Sequence, residues 1–176
     1  MRSSRQRHGL GAANETAPSL ASNVTDHCDQ PLTANRLTQE VTRGVARLFD
    51  AMGFASLPEV PLANGRRLDL LALGEGGALW AVEIKTSIAD FRGDRKWPDY
   101  LEFCERLYFA VPLDFPQDIL PMEQGLIVAD AYDARILRNP GDRKLPAARR
   151  KALTLRFARL AAKRLLYGQP GYGQAG

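Results

Sequence analysis

The stretch 68–87, LDLLALGEGGALWAVEIKTS, constrains the fold more than any other part of the chain. Two apolar runs flank Gly74, Glu75, Gly76 and Gly77, and each alternates well enough to be a strand, so the segment predicts a β-hairpin. The glycines are not a phosphate-binding loop, because no helix follows them. Charges interrupt the runs at Asp69, Glu83 and Lys85. Ionised groups enter apolar strands only when something pairs with them. Side chains alternate faces along a strand, so Asp69 shares a face with Leu71 and Leu73, and Glu83 and Lys85 share one with Leu79 and Ala81. With Glu75, Gly76 and Gly77 as the loop, 74 pairs with 78 and Asp69 falls opposite Glu83. Directly opposed residues have Cβ atoms roughly 5 Å apart, where like charges destabilise.

Two carboxylates in that position hold a proton or bind a cation. Lys85 is one candidate cation, but it sits two residues along. A divalent metal fits the gap better, and oxygen-only ligands with room for water suit Mg²⁺, with Mn²⁺ as substitute. Such an ion can bind a phosphoryl oxygen and lower the pKa of a water, while Lys85 stabilises charge or orients that water. The alternative is a structural ion pair at the sheet rim, in which Asp69 and Lys85 join Glu83 and no metal enters.

Upstream, Leu37, Val41, Val45, Leu48 and Met52 recur at helical spacing, with Asn35 as cap and Gly53 as stop. Glu40 lies at the border of that stripe, and by itself reads as a solvated flank residue. LPEVPL at 57–62 suits only an edge strand, because of its prolines. Downstream, a loop leads into a helix expected from Pro98, with Leu101, Cys104 and Glu105 near its middle. LYFAVP, GLIVAD and ARILR read as strands, and a long helix is expected from Pro146 to Tyr167. The order αβββαβ with further strands predicts an α/β domain on a mixed sheet, flanked by helices. Trp80, Phe103 and Cys104 are expected in the core. Residues 1–32 lack periodicity and read as a disordered extension, 33–167 as one domain, and 168–176 as a flexible tail.

Charge is unevenly spread. Residues 36–142 carry 12 Lys/Arg against 17 Asp/Glu, whereas 143–176 carry nine Lys/Arg and no acid. An acidic body with a basic end suggests a polyanionic partner, nucleic acid first and anionic membrane second. Cys28 and Cys104 form neither a disulfide framework nor a CxxC pair, and DHCD at 26–29 lacks a second Cys/His pair for zinc. The only histidines, His8 and His27, fall in the extension, which removes Ser-His-Asp and Cys-His chemistry from the domain. No apolar run spans a bilayer and no signal h-region follows Arg2, Arg5 and Arg7, so a cytoplasmic protein is expected.

Asp69, thirteen residues, then Glu83-Ile84-Lys85, with Glu40 on a preceding helix, resembles the PD-(D/E)XK nuclease superfamily, with Leu68 where that motif's proline would stand. The longer stretch VEIKTSIADFRGDRKWPDYLEFCERLYFAVP is similar to the MmcB-type bacterial DNA repair proteins, a likeness covering roughly residues 33–140. The resemblance implies a restriction-endonuclease-like fold and a metal-dependent nuclease acting in DNA repair. Asp69 and Glu83 would be metal ligands, the Ile84 carbonyl a candidate third, Lys85 the catalytic lysine and Glu40 the helix acid. The superfamily also holds inactive modules that bind DNA or protein, and an RNA-processing nuclease is a third reading. DNA is the expected partner, beside other repair proteins.

For DNA contact, Arg95 and Lys96 in DRKWPDY can meet phosphates, while Trp97 and Tyr100 either stack on bases or pack the loop onto the sheet. In the last helix Leu153, Phe157, Leu160 and Ala161 form a stripe with the basic residues mostly off it. Arg149, Arg150, Lys151, Arg156 and Lys163 are therefore candidate phosphate contacts, the alternative being a solvated basic face.

Overall fold

The computed structural model of the protein describes residues 33–168. The extension read at 1–32, with His8, His27 and Cys28, and the tail beyond Gly168 lie outside the described residues. The elements are α1 (Ala34–Ala51), β1 (Phe54–Pro61), β2 (Arg67–Gly74), β3 (Leu79–Ile84), α2 (Ile88–Gly93), β4 (Arg106–Val111), β5 (Gly125–Ala129), β6 (Ala134–Arg138) and α3 (Ala147–Leu166), with 3-10 turns at Trp97–Phe103 and Gln117–Ile119. The strands form one mixed sheet in the order β1-β2-β3-β4-β5-β6. β1, β2 and β3 run antiparallel, β3, β4 and β5 parallel, and β6 returns antiparallel to β5. The expected α/β class and mixed sheet are what the chain forms.

The hairpin register is the one its loop dictates. Leu73 faces Leu79 and Leu70 faces Val82, and the Gly74 amide donates to the Ala78 carbonyl at 2.9 Å, so Glu75, Gly76 and Gly77 make the turn. Continuing this pairing by one residue sets Asp69 opposite Glu83.

Each face of the sheet is covered. On one, Val41, Val45 and Phe49 of α1 pack on Leu70, Ala72, Val82, Ile84 and Tyr108. On the other, Tyr100, Phe103, Leu153 and Phe157 cover Leu71, Leu79, Ala81 and Leu107. α1 comes close to the β5–β6 turn because position 44 is glycine: a Cβ there would collide with the Asp130 and Asp133 carbonyls.

Several local expectations are corrected. Thr33 caps α1, its hydroxyl accepting from the Arg36 amide, and Asn35 lies inside the helix. Phe49 is fully buried, whereas Met52 is 42% exposed because it is the C-cap, past the last residue of the helix. The helix expected from Pro98 is instead the short α2 followed by a 3-10 turn that ends at Phe103. Cys104 is buried beyond that turn, and Glu105 accepts from the Leu79 amide and pairs with Arg150, which ties the chain to β3 before another helical turn can form. β1 is the sheet edge, as its prolines require, and Glu59 there adopts φ 49, a left-handed conformation unusual for glutamate. Trp80 is half-buried, flanked by Phe54 and Tyr108 with the Arg106 guanidinium 4.7 Å above its ring.

Candidate functional site

At the C-terminal end of β3, backbone pairing gives way to side-chain contacts. The Asp69 carboxylate accepts the Ile84 amide proton at 2.8 Å, replacing the strand partner that Ile84 would otherwise find on β2. The next residue, Lys85, keeps its backbone on the sheet by donating to the Ala110 carbonyl at 2.9 Å. Its side chain, only 4% exposed, reaches Glu83 Oε1 at 3.1 Å and Asp94 Oδ2 at 2.7 Å, with Asp90 Oδ1 at 3.8 Å. Three carboxylates thus flank one ammonium, and two of them, Glu83 and Asp94, are themselves buried or half-buried.

Sequence reasoning missed Asp90 and Asp94. Ser87 caps α2 by accepting from the Asp90 amide, which sets the first turn, and Asp94 lies one turn past Asp90 at the C-cap. Asp94 Oδ1 accepts from the Lys96 amide at 2.7 Å, so the carboxylate is held from both sides. The available signal was the i, i+4 spacing of Asp90 and Asp94 directly after the EIK stretch.

Burial drives the protonation chemistry. Burial, then the Asp69 charge, push the Glu83 carboxyl up to about 8, against the pull of Lys85. Burial also raises Asp69, although the Ile84 hydrogen bond and the Lys85 charge oppose it. Burial would lower Lys85, but the Asp94 hydrogen bond and the charges of Glu83 and Asp90 outweigh it, so the ammonium persists. Asp94 is itself partly desolvated, yet its bonds from Lys85 and the Lys96 amide hold it below the usual range, with a smaller contribution from Glu83. Glu83 Oε2 is buried and no N–H or hydroxyl donor reaches it. When Glu83 is protonated that carboxyl can share its proton with Asp94; when it is ionised, the oxygen has no partner in the protein.

The other anticipated residues divide. Glu40 is 13% exposed at its side chain and pairs with Arg36 one turn earlier; among the described residues no hydrogen bond or ion pair links it to Asp69, Glu83 or Lys85. Tyr100 is buried, donates its hydroxyl to the Arg67 carbonyl at 3.2 Å, and is pushed up to about 12 by burial and then by the Glu83 charge. Trp97 packs edge-on against Phe109 at 5.5 Å. Both rings are thus occupied by packing. Arg95 and Lys96 are exposed beside Asp94.

On α3 the basic residues are mostly engaged. Arg149 donates to the Glu102 carbonyl and lies 5.3 Å over the Phe103 ring. Arg150 grips both Glu105 oxygens and the Gly77 carbonyl. Arg156 donates to the Pro61 carbonyl, and Arg164 to the Pro58 and Glu59 carbonyls. Lys151 and Lys163 are exposed.

A divalent ion requires a donor set, and the one on hand is small. Among the described residues no three His, Cys, Asp or Glu side chains converge as a metal centre. The two opposed carboxylates with an unpartnered Glu83 oxygen nonetheless fit Mg²⁺, which keeps several waters and takes one or two carboxylates plus phosphate oxygens. Among the described residues no helix is long and apolar enough to cross a membrane.

No curated protein matches the chain. A solved structure from Silicibacter pomeroyi, described as a protein of unknown function, is 47% identical, with a TM-score of 0.71 over 79% of this chain and 97% of that one. Residues 25–169 match the family described as DNA repair protein MmcB-like, and a match over so much of the chain shows that the protein belongs to the MmcB-like DNA repair family.

Proposed function

We propose that the protein is a metal-dependent deoxyribonuclease of the PD-(D/E)XK type serving DNA repair, with Asp69 and Glu83 as ligands of Mg²⁺ or Mn²⁺. The observation that carries this reading is the buried Glu83 oxygen that no donor reaches, one residue past the Leu70–Val82 pair and so on the step of the hairpin that Asp69 also occupies. An oxygen in that state costs about 1–3 kcal/mol or more unless a proton or a cation meets it. A divalent ion there would supply Lewis acidity toward a phosphodiester and a water of lowered pKa. Lys85, kept protonated and aimed by Asp94 and Glu83, contributes a fixed positive charge beside the scissile phosphate. Arg95 and Lys96, exposed beside Asp94, would meet phosphates flanking the site, and the Ile84 carbonyl is the candidate third ligand.

A second reading rests on a different observation, the 2.7 Å Lys85–Asp94 ion pair. Here Lys85, Glu83 and Asp94 are a structural cluster, and the fold is a non-catalytic module that binds DNA or protein in a repair complex. Cleavage of single-stranded, nicked, branched and duplex DNA with Mg²⁺ or Mn²⁺, with Glu83→Gln in parallel, separates the two. Cleavage by the wild type that the variant loses supports the nuclease. No cleavage by either, with DNA still bound, selects the module.

A further inference from the structure

α3 carries leucines on two opposite sides. Leu153 and Phe157 turn into the core, as an amphipathic helix requires. Leu155 and Leu166, however, are 55% and 74% exposed and point within about 20° of one another on the opposite side. Between them Ala158 and Ala162 are exposed as well, so the outward stripe is apolar for three turns. A solvated helix has no need of such a stripe.

Cations border it. Lys151, Arg159 and Lys163 are exposed, and none has an ion pair or side-chain hydrogen bond among the described residues. They differ from Arg149, Arg150, Arg156 and Arg164, whose guanidinium groups are bonded within the fold. Next to the stripe a groove of about 360 Å³ opens between α3 and Pro61 of β1, lined by Leu155, Leu160, Arg159 and Lys163.

Five occupants can be compared. A second copy of α3 would set cations against cations, because residues 143–176 hold nine Lys/Arg and no acid. DNA would meet the three cations and leave Leu155 and Leu166 in water, and no aromatic ring lines the groove for a base to stack on. The first 35 residues of this chain balance three acids with three bases and bring no excess of negative charge. A bilayer surface would engage the leucines and cations without using the concavity. A helix with apolar residues along one side and carboxylates along its flanks uses all three features: knobs enter the groove, the leucines are covered and the cations are paired.

We propose that the outer face of α3 and the groove beside Pro61 dock an acidic amphipathic helix of a partner protein. The proposal is independent of whether Asp69 and Glu83 hold a metal. The test uses the full chain and a labelled helical peptide of about 20 residues, long enough to hold its helix, with leucines along one side and glutamates on both flanks. A Glu→Gln version of the peptide, a DNA duplex and phosphatidylserine vesicles serve as competitors. Binding of the acidic peptide should weaken about tenfold in Leu155→Ser/Leu166→Ser and again in Arg159→Ala/Lys163→Ala. The Gln peptide should bind about tenfold more weakly, and salt should weaken the acidic peptide alone. Melting temperatures of the variants should match the wild type, since these side chains face outward. No peptide binding, or binding indifferent to the leucines, would overturn the proposal. So would DNA or vesicles that displace the peptide and depend on the same residues more strongly than it does.

Discussion

The β2–β3 hairpin and α3 each concentrate charge of one sign, and the two regions handle it in opposite ways. At the hairpin, Glu83, Asp94 and, at the rim, Asp90 share a single cation, the buried Lys85, while Asp69 accepts from the Ile84 amide beside them. α3 holds seven basic residues and no acid, yet it lies on the surface. There, four arginines hand their charge to backbone carbonyls and to Glu105, and the lysines are solvated. Burial is what separates the two. An excess of charge in water is screened and cheap to hold, whereas a buried excess forces protonation, pairing or the uptake of an ion.

The largest expected effect breaks the hairpin cluster from its cationic side. Lys85→Met leaves Glu83, Asp94 and Asp69 facing one another with no cation, and should lower stability by about 3–5 kcal/mol in urea unfolding. Asp69→Asn and Glu83→Gln should each stay within about 1 kcal/mol of the wild type without metal, since a carbonyl oxygen can still accept from Ile84 and Lys85 keeps Asp94. Both should abolish any rise in melting temperature that Mg²⁺ or Mn²⁺ gives the wild type. A strong loss in Asp69→Asn, with a wild type indifferent to metal, would leave only the structural cluster.

The next effect is a pH dependence. The Glu83 carboxyl lies near 8 in the fold against an ordinary 4.5, so the folded protein binds the extra proton between those values. A group raised in this way stabilises fully below its unfolded pKa and loses that contribution as pH rises through its folded one. The urea midpoint without metal should therefore fall between about pH 5 and about pH 9. In Glu83→Gln that fall should flatten. Stabilisation by added Mg²⁺ should grow over the same window, because the ion replaces the departing proton. A metal effect independent of pH would mean that Glu83 is no ligand.

The smallest effect belongs to α3. Arg164→Ala removes two bonds to the Pro58 and Glu59 carbonyls, at the bend where Glu59 adopts φ 49, and should cost about 1–2 kcal/mol. Lys163→Ala, one residue away, should stay within about 0.5 kcal/mol. Equal losses would mean that the helix depends on net charge rather than on these particular bonds.

The sequence determined the elements whose causes are local. Alternation and the glycine-bounded loop were enough to set the hairpin, its three-residue turn and the opposition of Asp69 and Glu83, because the period of two and the loop length leave one register that buries the leucines. The edge position of β1 followed from its prolines, and the extent of α3 from its periodicity. Only the tertiary structure decided the partners of the charges. Asp90 and Asp94 join Glu83 at Lys85 only because α2 folds back onto the end of β3, and the carbonyls that hold Arg156 and Arg164 lie 95 and 106 residues back along the chain. A side chain's charge can be read from its residue type. Whether that charge stays in water, bonds to a distant carbonyl or sits buried among like charges depends on which surfaces the fold brings together, and no pattern along the chain records that.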